Sequence, residues 1–328
     1  MKSMVLAIGG NSLIRPGEHG TDPEQVVNAR HVAEQVVRLV RDGYRIVLTH
    51  GNGPQVGAEL LQCERATGQV PGHPLDVCDA STQGTMGYLL QQALTNEMKR
   101  AGLSVPVVTV VTQVVVSPDD PAMSHPAKPV GPFYSAEEAE ERRRLFGWTI
   151  VEDAKRGYRR VVASPQPLEI VEWEAIKRLV QSGVLVIACG GGGIPVAWKD
   201  GSLVGVEAVI DKDRTSALLA SKLHLGLFVI ETDTDYVYLN YKKASQKALR
   251  SIDAAQLEAY AREGHFAPGS MGPKIEAVSQ FLRSGGREAI ICSCESLRNA
   301  VEGTAGTHIF PVEEKVPRGV TSRQKVAV

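Results

Sequence analysis

Val5-Leu6-Ala7-Ile8-Gly9-Gly10-Asn11 runs an apolar strand straight into a glycine turn, and the rest of the chain can be read outward from it. Residues 4–8 and 45–49 both read as strands. Between them, Asp22-Pro23-Glu24-Gln25 can open a helix that carries Val26, Ala29, Ala33, Val36 and Val40 on one face. Strand, helix and strand in that order make a βαβ opening. A second helix is expected from Thr82 or Gly84 to about Arg100, and further apolar runs lie at 105–111, 184–189 and 226–231. The fold class that follows is α/β, an open and largely parallel sheet with helices on both faces.

Between Ser117 and about Gly157 the rhythm changes. Pro118, Pro121, Pro126, Pro129 and Pro132 crowd into it ahead of the charged run 137–144, while Phe133, Tyr134, Phe146 and Trp148 give it something to bury. The expected organisation is one domain over 1–328 with an inserted, protruding lid at 117–157. The sheet is expected to resume at Arg160-Val161-Val162-Ala163, and a helix follows at about Glu172 to Gln181. Later come an apolar run at 206–210, a helix at 215–222, a strand near Phe228, a short strand at 236–239, and helices near Ala254 and Lys274. Residues 311–328 carry several charges and little periodicity.

The 328 residues are 43% hydrophobic, enough for a substantial core, and the formal net charge of −1 gives no electrostatic case for nucleic acid or a membrane surface. Five cysteines without a dense pattern argue against a disulfide framework. Met1-Lys2-Ser3 leads directly into a strand, and the apolar runs are too short to span a bilayer. A cytoplasmic location is expected.

Several glycine turns follow candidate strands, which suggests one phosphate site assembled at strand ends. Gly190 to Gly193 are four glycines after an apolar run, and Gly51-Asn52-Gly53 follows the strand that ends near His50. The glycine run is expected to serve close approach by a ligand or by neighbouring backbone. Gly51 and Asn52 are read as an anion-binding nest, and His50 as structural. In Gly269-Ser270-Met271-Gly272-Pro273-Lys274, a lysine falls in a first helical turn, where the helix dipole opposes it unless an anion is bound nearby.

Lys212 and Lys274 form the strongest pair if both reach one phosphate. Phosphoryl transfer needs positive charge set against the moving oxygens more than it needs covalent help. Asp211 and Asp213 flank Lys212, so one carboxylate can order the lysines; a solvated charged turn is the other reading of that segment. Cys292 and Cys294 share a face of an expected strand but lack a second pair at zinc spacing, and Cys189 reads as a small core residue. No GxSxG, HExxH or GxxxxGK[ST] pattern occurs.

Taken together, the ordered motifs AIGGN (7–11), THGNGPQVG (49–57), PLDVC (74–78), QGTMGYLLQQAL (83–94), KPVGPFY (128–134), GYRRVVASP (157–165), ACGGGGIPV (188–196), VEAVIDKD (206–213) and EGHFAPGSMGPKIEA (263–277) closely resemble the carbamate kinases of the amino acid kinase superfamily. The resemblance implies an αβα sandwich, a homodimer, and reversible phosphoryl transfer between ATP and carbamate giving ADP and carbamoyl phosphate. ATP formation is the expected direction, magnesium arrives with the nucleotide rather than in a protein cage, and arginine metabolism is the expected setting. Lys128, Lys212, Asp213 and Lys274 would be catalytic. Gly9, Gly10, Asn11, Gly51, Asn52, Gly53, Gly191 and Gly192 would meet the substrate or transferring phosphate. Asp233, Tyr241, Ser270, Met271 and Gly272 would meet the nucleotide. Arg214, Thr234 and Lys242 depart from the family pattern. Another small-carboxylate kinase of the same fold, or a nucleotide or metabolite sensor, are the competing readings.

Overall fold

The structure, a computed structural model, describes residues 2–15, 17–152, 157–267 and 269–312, with Asn11 described through its backbone alone. Part of the expected lid and the tail from residue 313 lie outside these residues.

An eight-stranded sheet forms the centre. Its spatial order is Ser251–Asp253, Thr307–Phe310, Glu288–Cys292, Leu227–Glu231, Lys2–Ile8 (β1), Tyr44–His50 (β2), Leu185–Ile187 and Val107–Thr109. Every pairing is parallel except that of 288–292 with 307–310. β1 shows why both faces must be covered: Met4, Leu6 and Ile8 pack into one apolar cluster and Val5 and Ala7 into the other. The alternation is the period of a strand, and apolar residues at both phases bury both faces.

Helices α1 (Asp22–Arg41) and α3 (Leu75–Arg100) cover the first face with Val32, Val36, Leu90 and Leu94. Helices Lys212–Lys222 and Met271–Arg283 cover the second with Ala217, Leu219, Val278 and Phe281, whose ring meets Phe228 edge-on at 5.5 Å. The result is the expected three-layer sandwich. In α1 the cap is Thr21, which forms a reciprocal box with Glu24. Val26 faces outward at 46% exposure, and Val32, Val37 and Leu39 hold the core contacts in its place.

Four sequence expectations are corrected. α3 begins at Leu75, well before Thr82, because Pro74 takes the capping position; Gly84 and Gly87 are interior, and Gly87 leaves room for the Thr109 side chain. Residues Tyr158–Val162 do not rejoin the main sheet but form the middle strand of a three-stranded antiparallel sheet with Lys128–Tyr134 and Ile150–Glu152. The run 206–210 is no strand; a strand at Ser202–Gly205 precedes it, and Ala208 makes one isolated bridge to Ala163. The strand expected to carry both cysteines ends at Cys292, so Cys294 does not share its face.

The three-stranded sheet and the helix Ala136–Phe146 make a small unit beside α2 (Gly53–Arg65). Arg142 donates to Glu64 on α2 at 2.5 Å and lies 4.2 Å from the Tyr134 ring centre, and both charged side chains are nearly buried. No helix among the described residues is long and apolar enough to cross a membrane.

Candidate active site

β1, β2 and the strand Leu227–Glu231 lie side by side in the sheet, so their carboxyl ends deliver Gly9-Gly10, Gly51-Asn52 and Glu231 to one place. An open parallel sheet binds ligands in the crevice outside these ends. Here that crevice is a cavity of about 430 Å³, into which Lys128, Arg159, Lys212 and Lys274 all project.

The helix Lys212–Lys222 starts three residues earlier than the sequence suggests, because Asp211 caps it by accepting the Asp213 N–H at 3.0 Å. Lys212 therefore sits in a first turn, as Lys274 does in the helix Met271–Arg283. Asp213 lies between them, 3.1 Å from Lys212 Nζ and 2.9 Å from Lys274 Nζ. All three side chains are at most 14% exposed. Burial opposes charge on Asp213, yet the two ammonium groups hold its pKa below the ordinary carboxylate range. Lys212 is shifted down, by burial first and by Lys274, with Asp213 resisting. Burial likewise works against Lys274, but Asp213, Asp211 and Glu231 together push its pKa up.

Lys212 Nζ has no hydrogen-bond partner among the described residues, although it touches Asp213. The contact meets the distance of an ion pair but lacks hydrogen-bond alignment. Its N–H donors are left for an anion in the cavity, since a buried ammonium with unused donors is costly even beside a carboxylate. Lys128 reaches in from the three-stranded sheet and donates to Asp211 Oδ2 at 2.7 Å. Asp211 thus joins the three-stranded sheet to the cap of the lysine-bearing helix.

The glycine run serves mainly close approach of protein to protein. Gly192 has φ +104°, and a Cβ there would fall 2.2 Å from the Ile210 carbonyl oxygen. Its bare backbone lets the segment leading to Lys212 pass, and Thr215 Oγ1 fastens the same helix by donating to the Gly192 carbonyl at 2.7 Å. A Cβ on Gly191 would strike the Asn52 amide at 2.4 Å; Gly191 itself borders the cavity. His50 is buried and donates through Nδ1 to the Gly51 carbonyl at 3.2 Å, and burial lowers its pKa to about 4, so it is neutral. This fits its structural reading.

Of the residues singled out in the sequence, Gly9, Gly10, Gly51, Asn52, Gly53, Gly191, Lys128, Lys212, Asp213, Asp233, Ser270 and Lys274 border the cavity. Gly192, Tyr241, Met271 and Gly272 do not; Tyr241 is 48% exposed and packs on Tyr238. The Asn11 side chain lies outside the described residues. Arg214 donates to Glu276 at 2.7 Å and so ties the two lysine-bearing helices together. Thr234 and Lys242 make local bonds, to the Tyr236 carbonyl and from the Lys242 N–H to Gln246.

Three residues given no role in the sequence reading matter here. Arg159 adds a fourth cation, its Nε donating to the Gly131 carbonyl at 3.2 Å. Glu231, nearly buried, accepts from the Gly9 N–H at 3.1 Å and from Ser12 Oγ at 2.5 Å, fixing the first glycine turn. Asp79 lies behind Asn52. The sequence places Asp79 ahead of the expected helix, which begins in fact at Leu75, so nothing in its spacing pointed to it.

Residues 2–293 match the profile of the Amino acid kinase family. The chain belongs to the amino acid kinase family. Relatives within that family include carbamate kinases. It is 46% identical to a carbamate kinase from Pyrococcus furiosus over 94% of this chain and 99% of that one. It is 48% identical to a carbamate kinase-like protein from Escherichia coli, over 94% and 98%. A structure of carbamate kinase from Giardia lamblia bound to AMP-PNP superposes with a TM-score of 0.89 at 42% identity, covering 94% of this chain and 98% of that one.

Proposed function

We propose that this amino acid kinase family member is a carbamate kinase, transferring a phosphoryl group reversibly between ATP and carbamate, with ATP formation from carbamoyl phosphate as its working direction. The observation that carries the reading is the pair of buried lysines on one aspartate at the floor of a glycine-lined cavity, with Lys212 keeping donors for an anion. Relatives named carbamate kinase across nearly the full chain support the choice of acceptor.

In the ATP-forming direction a terminal oxygen of ADP attacks the phosphorus of carbamoyl phosphate, the new P–O bond forms, and the bond to the carbamate oxygen breaks. Carbamate leaves as an anion, so no protein nucleophile and no general base is required. The problem is to bring anions together. Lys212 and Lys274 neutralise the moving oxygens, and Asp213 holds the two ammonium groups apart and aimed. Gly9, Gly10 and Asn11 meet the transferring phosphate, and Gly51, Asn52 and Gly53 meet the carbamoyl end. Lys128 meets the acidic substrate from the lid, having Asp211 as its partner otherwise. Asp233 and Ser270 border the nucleotide side, with Tyr241, Met271 and Gly272 beyond the cavity edge. Lid closure excludes water and limits hydrolysis of the phosphoryl donor.

Among the described residues no group of three or more His, Cys, Asp or Glu side chains is placed to hold a metal. Asp211 and Asp213 are occupied by lysines. Magnesium would come with the nucleotide phosphates, where it would add neutralising charge. We infer a cytoplasmic homodimer. The terminal strand Val107–Thr109 and the exposed Tyr88 and Val111 beside it support that face as the contact.

The test offers carbamoyl phosphate and acetyl phosphate separately as donors to Mg-ADP. A preference of at least about tenfold in kcat/KM for carbamoyl phosphate is expected. Preference for acetyl phosphate would move the assignment to another carboxylate kinase, and ADP binding without exchange would make it a sensor.

A further inference from the structure

Asn52 holds the capping position of α2, a place where asparagine normally bonds the first free N–H groups of the helix. It does not do so here. Its side chain makes no cap bond, and the amide turns instead to α3, giving one Nδ2 hydrogen to Asp79 Oδ1 at 2.9 Å and the other to Thr82 Oγ1 at 2.8 Å. Thr82 spends its own hydrogen on the Asp79 carbonyl at 2.7 Å, which leaves its oxygen only to accept. Both donors of the amide are consumed, so its orientation is fixed. On the far side the bare Gly191 backbone presses against it.

Two consequences meet at the cavity. The start of α2, with Gly53 and Pro54 bordering the cavity, lacks a side-chain cap and presents its positive end to an incoming anion. The loop 51–53 is also packed against the first glycine turn: a Cβ on Gly51 would lie 2.9 Å from the Gly10 nitrogen, and the Gly51 N–H donates to the Ile8 carbonyl at 3.1 Å.

Asp79 is 2% exposed, and its Oδ2 has no hydrogen-bond partner among the described residues. A purely structural helix position would place an apolar side chain there, since a buried carboxyl with one unsatisfied oxygen is costly. Its one polar contact between side chains goes to a residue of the cavity wall. We propose that Asp79 is a positioning residue for phosphoryl transfer: with Thr82 it withdraws the Asn52 amide from the cap of α2, which keeps that helix end open to the anion and the 51–53 loop in register with Gly10. Asp79 does not touch substrate. It acts through Asn52.

This inference rests on the phosphotransferase reading, so the experiment separates the two. ATP formation from carbamoyl phosphate and Mg-ADP is measured for wild type, Asp79→Ala, Asn52→Ala and the double variant, with Asp79→Asn and Thr82→Val beside them and folding checked by circular dichroism. Asp79→Ala is expected to lower kcat/KM for carbamoyl phosphate about tenfold while the KM for ADP changes less than twofold. Asp79→Asn, whose amide oxygen still accepts from Asn52, is expected to restore most of that loss. In the Asn52→Ala background the Asp79 substitution is expected to add nothing. Independent, multiplying losses, or wild-type kinetics in Asp79→Ala, would overturn the inference while leaving the activity intact. Should Asp79→Ala fail to fold, Thr82→Val takes its place in the cycle under the same criteria. Inorganic phosphate binding by calorimetry to the same proteins reads the anion cradle without turnover: weaker binding in Asp79→Ala, with no further weakening in the double variant, supports the inference even if carbamoyl phosphate is not the substrate, and unchanged binding sinks it.

Discussion

Replacing Asp213 by asparagine keeps the shape of the site and removes the one negative charge between two buried ammonium groups. The charge contacts are 3.1 and 2.9 Å. At an effective dielectric constant of about 20, a unit pair about 3 Å apart is worth roughly 5 kcal/mol, and one such attraction helps keep Lys212 protonated. Burial and Lys274 already lower the Lys212 pKa. Without Asp213 nothing comparable opposes them, so the Lys212 pKa is expected to fall further and the ammonium to be lost more readily as pH rises. If charged Lys212 neutralises the moving phosphoryl oxygens, turnover at pH 8 falls about 100-fold, the scale for loss of a preorganised electrostatic donor. Part of that loss is expected to return as pH is lowered and the ammonium is favoured again. The assay is the initial rate of ATP formation from carbamoyl phosphate and Mg-ADP between pH 5.5 and 9, with folding of the variant checked separately. A folded Asp213→Asn protein with wild-type turnover and an unmoved alkaline limb would refute the electrostatic argument.

Gly192→Ala combines a left-handed φ with a Cβ 2.2 Å from the Ile210 carbonyl, so a loss of ~2–5 kcal/mol in unfolding free energy is expected by denaturant titration; a loss under ~1 kcal/mol would mean the backbone yields easily. Glu64→Ala strands Arg142 in a nearly buried place, and breaking such a pair costs about 3–5 kcal/mol. The expected readout is faster limited proteolysis within the unit around 128–162, and an unchanged cleavage rate counts against the Arg142–Glu64 tie. Burial raises the Asp79 pKa to about 7 from an ordinary 3.8, with Asp76 adding to the shift and the Asn52 bond opposing it. A carboxyl raised on folding contributes stability that is full below its unfolded value and lost as pH climbs through about 7, an effect of at most ~4 kcal/mol. Asp79→Asn lacks this titration, so its Tm relative to wild type should rise between pH 5 and pH 8; parallel Tm curves would contradict the shift.

The fold was legible where the signal was local. β1 and β2 announce themselves by unbroken apolar runs, and α1 by its capping residues and helical spacing. Partner choice was not legible. Residues 158–162 look like any buried strand, and only the three-dimensional structure shows that they pair with 128–134 and not with the main sheet. The start of α3 was misplaced because Gly84 and Gly87 look like boundaries, whereas one is solvent-facing and the other makes room for Thr109.

Lys212, Asp213, Lys274, Gly51 and Asn52 could be singled out because glycine turns and flanking charges are short-range signals, reinforced by the family resemblance, and the fold brings them to one cavity. Glu231 meets Gly9 across 222 positions, and Asp79 meets Asn52 across 27. A buried polar contact of that kind depends on how distant elements pack, and no residue spacing encodes it. Arg159 lay in plain view within the GYRRVVASP segment, but its direction into the cavity follows from the strand pairing that was misread.

Two buried lysines ordered by one aspartate are proposed to move a phosphoryl group between carbamate and ADP. The most direct measurement is ATP formation from carbamoyl phosphate and Mg-ADP by purified wild type beside folded Lys274→Ala. Rapid ATP formation by the wild type, reduced about 100-fold or more in the variant, is the predicted result. ATP formation at equal rates by both proteins, or none by folded wild type, would contradict the account.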